Sequence, residues 1–257
     1  MRDMFSLKGK VAIITGGNGG IGEGVARGFA GSGANIVIAA RNRHKTDSAV
    51  EGIRKEFNVE ALGIQVDVRK EEQVASMVKE AFDSFGHVDV LVNNAGMNIR
   101  KMPQDLTSAD YDEVLSTDLR SVFLCSKAVY PIMKNKGGGK IINTASIAGN
   151  YFGQSMGMAY NASKAGVIGM TRALAIAWAP DNIQVNAILP GFIDTELTKG
   201  SRAQIAGFNE RVINRTPSGR WGKPEDLQGI AIFLAAEASN FVTGAALVVD
   251  GGFSVNM

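Results

Sequence analysis

Cysteine and histidine are nearly absent from this sequence. Its 257 residues include one cysteine, Cys125, and two histidines, His44 and His87. A single thiol excludes an internal disulfide and suits a reducing compartment. The two histidines lie far apart in the pattern and offer no ligand cluster, which argues against a metal site or a metal hydrolase. An excess of either charge is missing too. With 27 Lys and Arg against 25 Asp and Glu, the chain carries +2, so nothing points to nucleic acid or an anionic membrane as a partner. No apolar run reaches the length of a membrane span, and the opening MRDMFSLKGK lacks a signal-type apolar core. The expectation is a soluble, cytoplasmic protein. No linker, low-complexity tract or internal repeat interrupts the chain, so residues 1–257 are read as one domain.

What is present is a regular alternation. Residues 10–15 (KVAIIT) form a short apolar, β-branched run, the pattern of a strand buried on both faces. A glycine cluster follows at once at 16–22 (GGNGGIG), then a helical pattern to about residue 32 and a second strand at 35–40 (NIVIAA). Strand, glycine turn and helix together let backbone N–H groups and a helix N-terminus hold a phosphate. Further strands are expected at 61–66, 88–92, 140–144, 183–189 and 245–249. Helices are expected at 47–57, 70–85, 108–137, 157–179 and 224–236, the third of these with Pro131 inside it. The alternation calls for a parallel sheet covered on both faces, an α/β doubly wound, Rossmann-like domain. Residues 192–222 are long, polar and basic, with a short helix expected near 202–213, and suit a lid.

The end of the second strand decides the cofactor. An acidic residue there would bind the ribose hydroxyls of NAD. This chain instead has Ala40 followed by Arg41, Asn42, Arg43, His44 and Lys45. A 2′-phosphate needs a cation and cannot sit beside a carboxylate. The reading is NADP(H) rather than NAD(H), against the alternative of a solvated basic loop.

Tyr160 and Lys164 are four residues apart on an expected helix, hence on one face. A free phenol titrates near pH ~10, and lowering that by about three units needs roughly 4 kcal/mol. One cation at ~4 Å and an effective dielectric of ~20 supplies energy of that order. Ser146, just past the fifth strand, could hold a substrate oxygen while the phenol gives or takes its proton. On these residues alone, a buried Tyr with a snorkelling Lys explains the pair as well.

Taken together, the motifs resemble the short-chain dehydrogenase/reductase family over essentially the whole chain. Thr15-Gly16-x-x-x-Gly20-x-Gly22, Asn93-Asn94-Ala95-Gly96, Ser146, Tyr160-x-x-x-Lys164 and Pro190-Gly191 stand in that family's order and spacing. The resemblance implies a seven-stranded parallel sheet in the order 3-2-1-4-5-6-7. It also implies hydride transfer between a nicotinamide cofactor and an alcohol or carbonyl, and a homotetramer built on the helices at 108–136 and 157–179 and the last strand. It casts Tyr160 as the general acid/base, Ser146 as the group polarising the substrate oxygen, and Lys164 as holder of the nicotinamide ribose. Cofactor contacts are implied for Gly16, Asn18, Gly20, Ile21, Gly22, Arg41, Asn42, Asp67, Val68, Asn93, Ala95, Gly96, Pro190, Gly191, Ile193 and Thr195. The family's usual Asn in the long helix is replaced here by Asp118. As a fourth member of the catalytic set, Asp118 is expected to raise the Lys164 pKa and weaken its grip on Tyr160, giving reduced but real activity or an altered pH profile.

For the substrate, Arg100, Asn150, Phe152 and Gln154 are expected to line the pocket. Arg100, Lys101, Lys199, Arg202, Arg211 and Arg215 together suggest a basic rim suited to an anionic substrate. The segments NAGMNIRK and RTPSGRWGKPEDL resemble the gluconate, deoxygluconate and glucose dehydrogenase branch, so a sugar, sugar acid or similar polar carbonyl is the expected small-molecule substrate. The alternatives are a 3-oxoacyl thioester reductase and a non-catalytic NADP(H)-binding regulatory protein.

Overall fold

The computed structural model describes residues 3–151, 153, 155–204 and 207–256. Seven strands form one sheet: β1 (Val11–Thr15), β2 (Asn35–Ala40), β3 (Ala61–Gln65), β4 (Val90–Asn93), β5 (Gly139–Thr144), β6 (Ile183–Pro190) and β7 (Ala246–Val249). Their order is β3-β2-β1-β4-β5-β6-β7, and every pairing is parallel. The helices between them are α1 (Gly20–Gly31), α2 (Arg43–Glu56), α3 (Glu71–Phe85), α4 (Ser108–Leu115), α5 (Ser121–Lys136), α6 (Met158–Trp178), α7 (Glu196–Gln204), α8 (Phe208–Arg215) and α9 (Gln228–Ala235).

The central strands read as continuous apolar runs because both faces are covered. Alternate residues of β1 serve different layers. Ala12 and Ile14 pack with Val25, Phe29 and Leu234 on one side, while Val11 and Ile13 pack with Met77, Val78 and Met133 on the other. A third cluster joins Ala145, Ile147, Val167, Leu189 and Phe253 near the carboxyl ends of β5 and β6. β1 and β4 are neighbours although β2 and β3 lie between them in sequence. The strand order therefore reverses there, and a crevice opens at their carboxyl ends, the usual ligand position in open α/β sheets.

Three local features differ from the sequence expectation. The long helix expected from residue 108 to 137 is interrupted by a π-helical turn, Ser116–Arg120, between α4 and α5. Such turns displace one residue from the regular ladder, and here Asp118 lies inside the turn, fully buried. Helix α2 begins at Arg43 rather than residue 47. The Asn42 side chain accepts the Lys45 N–H at 3.0 Å, an N-cap that draws the basic stretch into the first helical turn. The segment expected to form a lid carries two helices, α7 and α8, instead of one.

Close approaches fix where the site sits. A Cβ on Gly22 would lie 2.4 Å from both the Gly16 oxygen and Asn94 Nδ2, so the glycine turn and the end of β4 meet at van der Waals limits. A Cβ on Gly149 would lie 2.6 Å from the Ala165 nitrogen and the Lys164 carbonyl carbon. Gly149→Ala must therefore push the turn after Ser146 off α6. We expect a loss of about 1–3 kcal/mol of stability from overpacking, read as a lowered denaturation midpoint, together with lowered activity. Unchanged stability and activity would show that this contact is not needed.

Candidate active site

Ser146 follows β5 and opens a short 3-10 turn, Ile147–Gly149, accepting the Ala148 N–H on its Oγ at 3.1 Å. It is 8% exposed, and its own hydroxyl hydrogen finds no acceptor among the described residues. Tyr160 lies in the first turn of α6, partly buried. Its hydroxyl likewise makes no hydrogen bond among the described residues. Each of these hydroxyls thus keeps a hydrogen with no acceptor among the described residues.

Lys164 is the opposite case. Its Nζ donates to the Thr144 carbonyl at 3.0 Å, two residues before Ser146. It sits 5.5 Å from the Tyr160 ring centre and 3.3 Å from Asp118 Oδ2. That last contact is an ion pair without hydrogen-bond alignment, since Oδ2 has no hydrogen-bond partner. The other carboxylate oxygen of Asp118 accepts the Met97 N–H at 2.8 Å. Burial lowers the Lys164 pKa, but Asp118 and then Tyr160 outweigh it and hold it above the ordinary lysine value. Burial also raises Asp118, with Lys164 and the Met97 N–H opposing.

The geometry of the glycine turn suits a phosphate. Gly16 and Gly20 have φ of 66° and 54°, a region costly for a side chain. No side chain caps the first turn of α1 at Gly19, and a Cβ on Gly19 would meet nothing within 4 Å. The leading N–H groups of α1 therefore face open space. Thr195, at the start of the lid, lies over Gly20, its Cγ2 3.2 Å from where a Cβ would sit. Ile193 is buried and bridges to Gly222. Pro190 ends β6, and Gly191 passes against Asp250. Asn18 Nδ2 donates to Thr46 Oγ1 at 3.0 Å, tying the turn to α2. Ile21 packs against the core beside Val25, whereas Ala95 belongs to the opposite layer. Gly96 is held so close that a Cβ would lie 3.1 Å from Asp118 Oδ2.

Of the basic residues after β2, Arg43 pairs with Asp47 at 2.9 Å. Arg41 is exposed and has no ion-pair partner among the described residues, so it alone of the two arginines is left to meet a phosphate. Asp67, just past β3, is tied to Arg69 at 2.7–3.1 Å; these bonds hold its carboxyl below the usual range. Val68 beside it is buried. These groups suit a dinucleotide with an anionic adenosine end: an open helix N-terminus, a clear glycine turn and a cation where NAD would want a carboxylate.

The Asn93 side chain, expected to lie along the cofactor, turns inward. Asn93 is 4% exposed and donates inward to Ser126 Oγ and Asn143 Oδ1 at 3.1 and 2.9 Å. Asn143 continues the chain to Thr171 at 2.9 Å. This network holds β4, β5, α5 and α6 in register beneath the site. Two further residues organise the crevice. Thr15 Oγ1 accepts the N–H groups of Asn94 and Ala95, and Asn94 Nδ2 donates to the carbonyls of Thr15 and Gly16. Their signal in the sequence is a hydroxyl and an amide at the ends of otherwise apolar strands.

The expected basic rim is largely consumed. Lys101 pairs with Asp110 at 2.6 Å, Lys199 with Glu196 at 2.5 Å and Arg202 with Asp194 at 2.6 Å; Arg215 stacks on Phe253. Arg100 remains. It is partly buried and unpaired among the described residues, its pKa lowered by burial with Tyr160 the opposing influence. Asn150 is exposed beyond the Ser146 turn. Phe152 and Gln154 lie outside the described residues. Cys125 is buried, and its thiol is pushed up to about 12, which leaves it inert.

A family model described as enoyl-(acyl carrier protein) reductase matches residues 16–254. The chain belongs to the short-chain dehydrogenase/reductase family. As a member it is an oxidoreductase acting on CH–OH groups. It is 41% identical over 251 residues to 2-dehydro-3-deoxy-D-gluconate 5-dehydrogenase of Escherichia coli, covering 97% of each chain. It is 36% identical over 255 residues to gluconate 5-dehydrogenase of Gluconobacter oxydans, covering 99% of this chain and 98% of that one. A crystal structure of gluconate 5-dehydrogenase from Burkholderia cenocepacia, in complex with NADP and tartrate, superposes with a TM-score of 0.94 at 37% identity over 99% of both chains. Within the family's frame, the open hydroxyls of Ser146 and Tyr160 make a direct prediction. Tyr160→Phe and Ser146→Ala should each lower kcat by ~10²–10⁴ while leaving nicotinamide-cofactor binding and thermal stability near those of the unaltered chain. Retained turnover in Tyr160→Phe would remove Tyr160 from the chemistry.

Proposed function

We propose that the protein reduces and oxidises a sugar acid at a secondary alcohol or ketone, using NADP(H). The observation that carries this reading is Arg100, partly buried, unpaired among the described residues and within electrostatic reach of Tyr160. A desolvated guanidinium without a carboxylate of its own favours a ligand that brings one, held by charge-assisted hydrogen bonds. The names of the relatives, acting on gluconate and deoxygluconate acids, and the NADP and tartrate of the Burkholderia cenocepacia enzyme support the same class.

The residues divide the work in a simple way. The glycine turn and α1 hold the diphosphate, Arg41 meets the 2′-phosphate, and Ile193 and Thr195 lie where the carboxamide is held. A bound nicotinamide supplies or accepts the hydride. Ser146 donates its free hydroxyl to the substrate oxygen, and Tyr160 gives that oxygen its proton in reduction and removes it in oxidation. Lys164 holds the ribose and fixes the charge beside Tyr160. Residues 192–222 close over the substrate as a lid, Thr195 tying its base to the glycine turn. The acyl-thioester alternative needs a broad basic rim, and the pairing of Lys199 and Arg202 leaves little of one. Open Ser146 and Tyr160 hydroxyls argue against a purely regulatory role.

Four copies are proposed to associate through α5, α6 and β7. Exposed Phe123 and Ile176, and the exposed small residues Ala162, Ala165 and Gly169, lie on the two helices.

The substrate reading has a discriminating test. Arg100→Gln should raise KM for 5-ketogluconate by about 10- to 100-fold, the worth of a charge-assisted hydrogen bond, and leave KM for a neutral ketose nearly unchanged. Equal effects on acid and neutral substrates would remove the carboxylate assignment.

A further inference from the structure

Asp118 puts a carboxylate where it touches the one cation of the catalytic set. Its position is fixed from three sides: the π turn buries it, the Met97 N–H holds Oδ1 at 2.8 Å, and Gly96 leaves no room behind Oδ2. Lys164 is equally fixed, with its side chain 5% exposed and bonded to the Thr144 carbonyl. Neither partner can turn away to solvent. The charged groups facing this pair are few. Tyr160 faces Lys164 from the same helix, and Arg100, on the loop after β4, interacts with Tyr160 through its charge. Ser146, Thr117 and Ser121 nearby carry no charge.

We propose that Asp118 is a positioning residue that sets the pH window of the reaction by cancelling the field of Lys164 at Tyr160. The inference rests on the proposed function for Tyr160 and Lys164 but not on the substrate. An ammonium paired with a carboxylate 3.3 Å away projects a dipole rather than a full charge, and it loses its proton only at higher pH. Oxidation needs the phenol ionised and the ammonium charged. Both limbs of its pH profile therefore lie further toward alkaline pH with Asp118 than without it. Reduction needs the phenol intact, so its plateau reaches to higher pH by the same amount. The overall equilibrium between alcohol and ketone is unchanged, as it must be. What moves is the pH at which each direction runs at its limit.

The sign is checked by removing the charge while keeping the shape. In Asp118→Asn the carboxamide oxygen can still accept the Met97 N–H. Lys164 then acts on Tyr160 with its full charge, and burial, opposed only by Tyr160, acts on Lys164, which loses its proton earlier. Both limbs of the oxidation profile should move to lower pH by about one unit or more, the scale of one unscreened charge a few ångströms away. The end of the reduction plateau should move down with them. Asp118→Ser, smaller and also uncharged, carries the same expectation if the first variant does not fold. Asp118→Glu, which keeps the charge, should stay nearer the unaltered chain.

The deciding experiment is an ultraviolet tyrosinate titration of the full chain, with and without Asp118→Asn, each subtracted from its Tyr160→Phe counterpart. It is run beside the pH profiles in both directions. The difference signal is expected at lower pH in Asp118→Asn. A signal at the same or higher pH, or Asp118→Glu behaving as Asp118→Asn does, overturns the inference. Because the titration needs no turnover, absence of activity on every ketone and sugar acid would count against the proposed function and leave this result readable.

Discussion

The Lys164 ammonium is the point at which the elements of this site meet. It is held by the carbonyl ending β5, by the carboxylate of the π turn between α4 and α5, and by its own helix beside Tyr160. Removing one partner from a buried pair of this kind generally costs about 3–5 kcal/mol, because the other charge is left uncompensated. The π turn is therefore not an incidental irregularity. It is what lets a residue of the long helix reach inward to Lys164, and the Met97 N–H fixes the loop after β4 against the same carboxylate.

The cofactor side is organised by contact distance rather than charge. Gly22 against Gly16 and Asn94, and Gly149 against Ala165 and Lys164, are places where a single methyl would separate elements that must touch. Thr15 and Asn94 bind the two crevice-forming strand ends by short polar bonds. Beneath them, Asn93, Asn143 and Thr171 form a buried, nearly satisfied chain that specifies the register of β4 and β5. Among the described residues, the open crevice offers the first turn of α1, Arg41, Arg100, the Tyr160 hydroxyl and the unused hydroxyl hydrogen of Ser146. Those are the groups available to ligands.

Strand positions and the shared helical face of Tyr160 and Lys164 were legible because each is carried by local pattern, whereas the sheet order came from the family resemblance. Buried parallel strands write themselves as β-branched runs, and Tyr160 and Lys164 share a face by helical spacing alone. The π turn was not legible, since one displaced residue leaves the apolar period of the long helix almost unchanged. Nor was the start of α2: Asn42 as N-cap competes with the basic residues as the dominant feature of that stretch. The basic rim was misjudged for a different reason. Charges close in sequence reveal nothing of their partners, and only folding shows that Glu196, Asp194 and Asp110 neutralise three of the cations, leaving Arg100 and Arg211 without an ion-pair partner among the described residues.

The central claim is that one crevice brings a nicotinamide hydride, the Tyr160 proton and an anionic carbonyl substrate together. The most direct measurement follows the hydride itself. NADPH carrying deuterium on one face of the nicotinamide is incubated with 5-ketogluconate and the full chain, and the product is examined by mass spectrometry and NMR. The account predicts one deuterium bonded to the new carbinol carbon, from one face of the nicotinamide only. Consumption of NADPH with no deuterium in the sugar acid, or no consumption at all, would contradict it.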